Sequence, residues 1–380
     1  MELLNPLDLP ELLDLCLGLL GRSPIDLCSC ARVARAWVYP AQSLLFRSPT
    51  HMTFRLVISD ITALRFRSIV IRNPHLAALV REFSFRFVRL ARDTIDALCT
   101  IEFVNLQSLT IETSEVAPIH AFHKLSSLPT LRFLTVFIGD DGEGEDFPQC
   151  IGHLRSVSAA IQHLCIGAPT TQWKQYLPSS SSARDKHIKL KSFRLQLPWH
   201  ELIASYTPID CNAGSFFPFD LSEVRAFSTS DERYAPWPAL SKARIEILDM
   251  TPSYTHFDLS PFTNLTVLRL VVYEDLLPVT KILPSICSAH PIHTILIRIE
   301  ESQRILSDGW HELFFALGSL PLNPFPDIEL EFVHSAEVER FQKGIGRSLM
   351  AGLASKTRVK ITAAFFGRMD EWWQSQIEGL

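Results

Sequence analysis

A six-residue pattern of apolar and variable positions recurs along most of the chain. It reads apolar, two variable positions, apolar, one variable position, apolar, and it is clearest at residues 106–111, 131–136, 161–166, 190–195 and 265–270. Alternation of this kind is typical of β-strands with one buried face. Weaker copies centre on Phe83, Val224, Ile245, Ile295, Ile328 and Val359. We therefore predict eleven strands after residue 50.

The spacing of these segments predicts how the strands connect. Marked by their middle apolar residues, successive segments lie 21 to 33 residues apart, with a mean near 28. Between them, apolar residues recur at helical spacing, as at Trp310, Leu313, Phe314 and Leu317. A strand, a turn and a helix repeated in this way build a parallel sheet with helices outside, and each repeat buries its apolar side against its neighbours. The predicted fold class is α/β, an irregular solenoid over residues 51–380.

The first 50 residues carry a helical pattern. A first helix is predicted from Pro10, because a missing N–H costs nothing in a first helical turn. Its wide apolar face comprises Leu12, Leu13, Cys16, Leu17, Leu19 and Leu20. Ser23, Pro24 and Asp26 predict the start of a second helix, whose shared face comprises Ile25, Cys30, Val33, Ala34 and Trp37. Pro40 is predicted to open a third helix that carries Phe46, and three such short helices gain stability by docking on a partner.

This order of residues resembles the F-box, the helical module that joins a substrate receptor to a cullin-type ubiquitin ligase. The resemblance covers residues 1–50, nearly the whole F-box length. It implies a Skp-type adaptor as partner, bound through Leu9, Pro10, Leu12, Leu13 and Leu27. It also implies a module core that contains Val33, Trp37 and Phe46. The alternative is that these helices only cap the domain that follows.

The strand pattern resembles that of leucine-rich repeats. The concave face formed by the strands is the usual binding surface of such a solenoid. Together with the F-box, it resembles the large F-box families of mushroom-forming fungi. Two departures predict an irregular arc: repeat length varies, and the asparagine expected after the last strand leucine is absent. The residues that stand in its place are Ser114, Gly139, Pro169 and Tyr273.

Composition excludes several classes of protein. Hydrophobic residues make up 47% and charged residues 20% of the 380 residues, which suits a large core. The net charge of −5 argues against nucleic-acid and membrane-surface partners, which need a basic face. Eight dispersed cysteines do not form a disulfide scaffold. With no apolar run of 18 residues and no basic signal start, we expect a cytoplasmic or nuclear protein.

Catalytic and metal-binding patterns are missing. Residues 343–346 lack the spacing of a phosphate loop, and no G-x-S-x-G elbow or H-E-x-x-H pair occurs. His120 and His123 have no acidic residue beside them, so a surface position is favoured over a metal site. We predict a protein that is not an enzyme and has no cofactor or metal; an α/β enzyme would need a concave pocket with converging polar groups.

Two further segments stand out. Residues 139–146 are acidic and glycine-rich, which indicates a solvated loop or a docking site for a basic peptide. Trp372 and Trp373 are predicted to lie on a last helix that covers the exposed end of the stack, with ligand stacking as the alternative.

The predicted function follows from the two resemblances together. The F-box implies a substrate-receptor subunit of an SCF-type ubiquitin ligase, in which the solenoid binds a target protein. The alternative is a repeat scaffold for protein–protein interaction whose F-box-like end is only structural. The target itself is not readable from the side chains of irregular repeats.

Overall fold

The computed structural model divides the chain into two units, Met1–Ile188 and Lys189–Leu380. It describes residues 10–19, 23–47, 60–86, 92–113, 124–138, 157–167, 188–196, 219–230, 240, 242–252, 257–273, 275–300, 309–333, 335–343, 346–354, 356–363, 368–377 and 380. The predicted domain boundary at residue 50 falls inside the first unit and outside the described residues, so it stays a prediction. The acidic segment 139–146 and the two histidines at 120 and 123 also lie outside the described residues.

Helices open the first unit. They are α1 (Pro10–Leu19), α2 (Pro24–Cys30), α3 (Arg35–Arg47), α4 (Asp60–Arg72), a 3₁₀ helix (Pro74–Leu79) and α5 (Arg92–Leu98). At the start of α2 the Ser23 hydroxyl accepts a hydrogen bond from the Asp26 N–H at 3.4 Å, and Pro24 takes the first helical position. This agrees with the predicted cap, because a serine side chain replaces one of the partners that a helix end lacks.

The third helix begins earlier than predicted. Pro40 does not open it but lies inside α3, which starts at Arg35. Trp37 therefore belongs to α3 and not to α2. The reason is the turn after Cys30, where the N–H groups of Arg32 and Val33 bond to residues three positions back and end α2.

Four parallel strands follow in the first unit: β1 (Glu82–Arg86), β2 (Ser108–Thr113), β3 (Phe133–Ile138) and β4 (His163–Gly167). Their register aligns Phe83, Leu109, Leu134 and Leu164, and all four side chains are buried. The middle apolar residue of each six-residue pattern thus occupies an equivalent place in successive strands. The repeat in the sequence becomes a row of buried side chains across the sheet.

The second unit contains the remaining described strands. A short pair is formed by β5 (Ile188–Lys189) and β7 (Phe219–Asp220). The others run parallel in the order β6 (Ser192–Gln196), β8 (Ala226–Thr229), β9 (Ile247–Met250), β10 (Val267–Val272), β11 (Thr294–Ile299), β12 (Asp327–Phe332) and β13 (Val359–Ala363). Within the described residues, eleven strands thus belong to parallel sheet, four in the first unit and seven in the second, and the fold is mixed α/β.

Every predicted strand has a counterpart in the structure. The middle apolar residue lies inside the strand except at Val224 and Ile245, which precede β8 and β9 by two residues. At these two places the chosen residue is buried but belongs to the turn before the strand. The next apolar residue in the pattern, Ala226 or Ile247, opens the strand instead.

Helices of the second unit lie on both faces of its sheet. They are α6 (Leu277–Ile282), a 3₁₀ turn (Leu283–Ser285), α7 (Trp310–Gly318), α8 (Ser335–Lys343), α9 (Gly346–Ala354) and α10 (Arg368–Ile377). Of these, α7 and α8 lie on one face and α10 on the other. The ring of Trp310 on α7 lies 4.5 Å from that of Phe341 on α8, and both rings contact Phe332 of β12. Phe332 shares its face of the sheet with Ile328 and Leu330 because side chains alternate along a strand. None of the described helices is long and apolar enough to cross a membrane.

Candidate interaction surfaces

The first three helices form a small bundle with its own core. Their shared buried side chains are Leu13, Leu17, Leu27, Ala41 and Leu45. Trp37 and Phe46 pack against this cluster while remaining partly exposed, as predicted for residues that hold the helices together. Each buried leucine contributes about 1.5–3 kcal/mol to the stability of the bundle.

A second apolar face of the same bundle is open. Leu12, Leu15 and Leu19 are spaced three and four residues apart, so they share one side of α1. Leu15 is 63% and Leu19 80% exposed, whereas Leu13 and Leu17 on the adjoining side are buried. Ile25 on α2 is exposed as well. We call Leu12, Leu15 and Leu19 the apolar patch; a helix with one packed and one open apolar face is typical of a docking surface.

The residues predicted to bind an adaptor divide between these two faces. Leu9 lies outside the described residues, and Pro10 begins α1 with a side chain that is likewise outside them. Leu12 is exposed, in agreement with its predicted role. Leu13 and Leu27 are buried in the bundle core, so the expectation that they offer free apolar area is wrong. Both side chains share a buried cluster with Ala41 and Leu45 of α3, and their burial holds the three helices together.

Val33 was assigned to the bundle core and is 67% exposed instead. The assignment assumed that α2 continues to Trp37, but α2 ends at Cys30 and Val33 lies in the following turn. Conversely, Leu15 and Ile25 were not predicted to contact an adaptor. The signal that identifies Leu15 is the second helical stripe at positions 12, 15 and 19, which runs beside the stripe at 13 and 17. Ile25 on α2 is not part of that stripe.

A network of charged and polar side chains crosses five neighbouring strands of the second unit. Arg269 of β10 lies between Asp249 of β9, at 3.7 Å, and Glu331 of β12, at 3.4 Å. Arg298 of β11 reaches the same Glu331 carboxylate at 3.5 Å and also bonds to Glu300. The Ser228 hydroxyl of β8 donates at 2.9 Å to Oδ2 of Asp249, the same oxygen that faces Arg269. We call these six residues the charge network.

The charge network lies on the sheet face that is opposite to α7 and α8. Register aligns Asp249 with Arg269, and Arg298 with Glu331. These positions alternate with Leu268, Leu270 and Leu330, whose face packs on the helices. A charged residue therefore occupies the outer position of successive strands, where a leucine-rich pattern leaves the residue type free.

Burial of the charge network costs free energy on folding. Arg269 is fully buried, and within the described residues its Nε and Nη1 groups have no hydrogen-bond partner; Oδ1 of Asp249 has none there either. An unpaired buried donor or acceptor costs about 1–3 kcal/mol, and buried ion pairs seldom repay their desolvation. Stability therefore does not explain why these strands carry charges, and buried charges of this kind mark candidate functional sites.

Tyr273, which follows β10, is affected by the same charges. Burial raises the pKa of its hydroxyl well above the usual range, and the carboxylates of Glu300 and Asp249 raise that pKa further. A hydrogen bond with Thr251 and the charge of Arg298 oppose this shift. The phenol therefore stays neutral at physiological pH and does not add a charge to the network.

The last helix covers part of the charge network. The ring of Trp372 on α10 lies over Arg269, with 4.4 Å between the guanidinium carbon and the ring centre. Trp373 and Ile377 of the same helix are buried. The predicted last helix is thus present, but Trp372 stacks on β10 and not on β13, the last strand along the sheet.

The corresponding face of the first unit is more open. Thr110, Phe133, Thr135 and Phe137 occupy the outer positions of β2 and β3, and each is partly exposed. The ring of Phe133 stacks on that of His163 in β4, with centres 4.3 Å apart. Polar hydroxyls and half-exposed aromatic rings on parallel strands offer a surface for protein recognition.

A groove of about 830 Å³ lies on the helical side of the second unit. It is lined mainly by apolar side chains of the segments 280–286 and 315–321. Its titratable side chains are His311 and Glu312, which are sequence neighbours on α7 and so do not face each other. Among the residues that the structure describes, no three histidine, cysteine or acidic side chains lie together as metal ligands.

Comparison with known proteins adds nothing to this geometry: no protein-family model matches the chain, and no curated protein matches its sequence.

Proposed function

We propose that the chain is a substrate-receptor subunit of an SCF-type ubiquitin ligase. In this proposal α1–α3 are an F-box that holds a Skp-type adaptor, the parallel strands belong to degenerate leucine-rich repeats, and these repeats hold a target protein. The observation that carries the proposal is the apolar patch. It lies on a bundle whose helices share a separate buried core, and most of the Leu15 and Leu19 side chains stays exposed.

The mechanism of such a receptor is proximity. Binding one protein through the helices and another through the sheet turns their encounter into an intramolecular event, with an effective concentration of about millimolar for a short connection. The target's lysines then meet the conjugating enzyme far more often than they do by free diffusion. The receptor itself forms and breaks no covalent bond in this mechanism, which we place in the cytoplasm or nucleus.

The parallel strands support the second half of the proposal. Outer positions such as Thr110, Phe133 and Thr135 are polar or aromatic and partly exposed, while the inner residues Leu109, Ile111, Leu134 and Val136 are apolar and buried. This division separates residues that build the sheet from residues that are free to vary with the partner.

The alternative function is a repeat scaffold whose F-box-like helices are only structural. Burial of Leu13 and Leu27 within the bundle favours it, because two of the residues assigned to an adaptor serve internal packing instead. The two functions differ in one measurable property, the affinity of the apolar patch for an adaptor.

The test is co-purification of the full chain with a Skp-type adaptor. We expect the wild-type chain to bind, and we expect the double variant Leu12→Asp/Leu15→Asp to lose at least ~10-fold in affinity, because two charges would enter an apolar contact. Val104→Asp is the matched control: Val104 is an exposed apolar residue of the same unit, outside the three helices. A wild-type chain that does not bind the adaptor would leave the scaffold as the function.

A further inference from the structure

The C-terminal segment contacts the sheet face that carries the charge network at β10. It leaves β13, and Trp372 on α10 then lies over Arg269 of β10, with β11 and β12 in between. At the end of the chain, the carbonyl oxygen of Leu380 accepts a hydrogen bond from Nζ of Lys191 at 2.9 Å. Lys191 immediately precedes β6, so the segment reaches from one end of this unit's strand order to the other.

The contacts of this segment leave the covered groups incompletely satisfied. Among the residues that the structure describes, two nitrogens of Arg269, Nε and Nη1, have no acceptor, and Oδ1 of Asp249 has no donor. The ring of Trp372 stacks on the cation but accepts no conventional hydrogen bond from it. When α10 moves away, water reaches all three groups and offsets part of the lost contact. The covered state is therefore easier to open than a well-paired interface would be.

The unpaired groups also define what would bind in place of α10. Two donors and one acceptor within a few ångströms match an amide, which accepts through its oxygen and donates through its nitrogen. A ligand carboxylate fits less well than an amide. Asp249 lies 3.7 Å from Arg269, and its negative charge would repel a second carboxylate bound there. The stacked position of Trp372 selects an aromatic side chain beside that amide.

We propose that this face of the second unit is the target-binding surface, that α10 occupies it in the free chain, and that the target displaces α10 with a peptide segment carrying an aromatic side chain next to a free amide. The proposal rests on the proposed function for the role of the target, but the occupied surface is a property of this chain alone.

The first test measures opening of α10 in the wild-type chain by amide hydrogen exchange. Opening of α10 alone requires its amides to exchange at least ~10-fold faster than those of β10 and of α7, which packs on the opposite face of the same sheet. Exchange of α10 as slow as that of β10 would overturn the proposal, because the helix would then open only when the whole unit unfolds.

The second test adds a fluorescein-labelled peptide of residues 368–380 to the full chain and follows anisotropy. We expect Trp372→Ala in the chain to raise its affinity for the peptide at least ~10-fold, because the competing internal helix is weakened. A peptide with the same Trp372→Ala change is expected to lose this binding. Equal and weak binding by wild-type and variant chains would contradict the proposal.

A milder variant covers the case in which Trp372→Ala does not fold. Lys191→Ala removes only the contact at the end of the segment, from a partly exposed side chain. It is assayed with a shorter peptide of residues 368–377, which lacks Leu380 and so does not lose this contact, and it is expected to raise the affinity for that peptide. No adaptor is present in either assay. Failure here therefore leaves adaptor binding untouched, and failure of adaptor binding leaves the peptide result standing.

Discussion

Arg269 and Trp372 are 103 positions apart in the chain, and the guanidinium carbon of the arginine lies 4.4 Å from the centre of the tryptophan ring. The arginine is fully buried in the middle of a parallel strand. Such a cation–π contact contributes about 2 kcal/mol when it is removed from water. This contact joins the last helix to a strand face that carries buried ion pairs.

The charge network is expected to show strong coupling between Arg269 and Asp249. Arg269→Met leaves the Asp249 carboxylate buried without its cation and is expected to lower the free energy of unfolding by about 3–5 kcal/mol. Adding Asp249→Leu removes the stranded charge, so the double variant is expected to be more stable than Arg269→Met alone. Denaturant titrations of the wild-type chain, the two single variants and the double variant, followed by circular dichroism, give the double-mutant cycle. Additive losses would mean that the two side chains do not interact.

Leu13 and Leu15 form a matched pair for separating packing from docking. Leu13→Ala is expected to destabilise the helical bundle by about 2–5 kcal/mol, because it opens a cavity in the core. Leu15→Ala is expected to change stability by no more than about 0.5 kcal/mol, because the side chain is mostly exposed. Thermal unfolding measures both, and a large loss at Leu15 would show that the apolar patch is packed within the chain.

Alkaline pH is expected to destabilise the first unit through Cys99. Burial is the main cause that raises the pKa of this thiol from 9.0 to about 11, and the charge of Asp96 adds to it. The Cys99 thiol loses its proton at a lower pH in the unfolded chain than in the folded chain. The contribution of this thiol to stability is therefore fully present below about pH 9 and declines as the pH rises toward 11. Unfolding midpoints measured across this range test the sign, and Cys99→Ala should remove that part of the slope.

The same thiol gives a labelling test. Cys16 and Cys28 are exposed, whereas Cys99 is buried. In native protein at pH 8, iodoacetamide is expected to modify Cys16 and Cys28 well before Cys99, which reacts only after unfolding. Peptide mass mapping of partly labelled protein shows the order, and early modification of Cys99 would contradict its burial.

Replacement of two glycines by alanine is expected to change the stability of the protein in opposite directions. Gly309 precedes α7 with φ of 88°, and an added Cβ would lie 3.3 Å from Cβ of Leu276. Gly309→Ala is therefore expected to cost about 1–2 kcal/mol. Gly18 lies inside α1 with open space around it, so Gly18→Ala is expected to stabilise α1 by up to about 1 kcal/mol. Helical content and thermal midpoints of the two variants provide the comparison.

The local pattern of the sequence was enough to predict the strands. Leu109 and Leu268 mark their strands correctly because alternation and spacing are properties of neighbouring residues. The start of α2 at Ser23 was equally local. The predicted start of the third helix was wrong because a proline commonly lies in the first turn of a helix, whereas Pro40 lies inside α3.

Only the tertiary structure decided which of these residues are covered. Leu12 and Leu13 are adjacent and chemically identical, yet the second packs against Leu27, Ala41 and Leu45 while the first remains exposed. Arg269 meets Glu331 across 62 positions of sequence, because parallel strands align residues that their connecting helices separate. Hydrophobic periodicity records the tendency of a segment to bury a face; which neighbour covers that face depends on the packing of distant segments, and this is what placed Trp372 over Arg269.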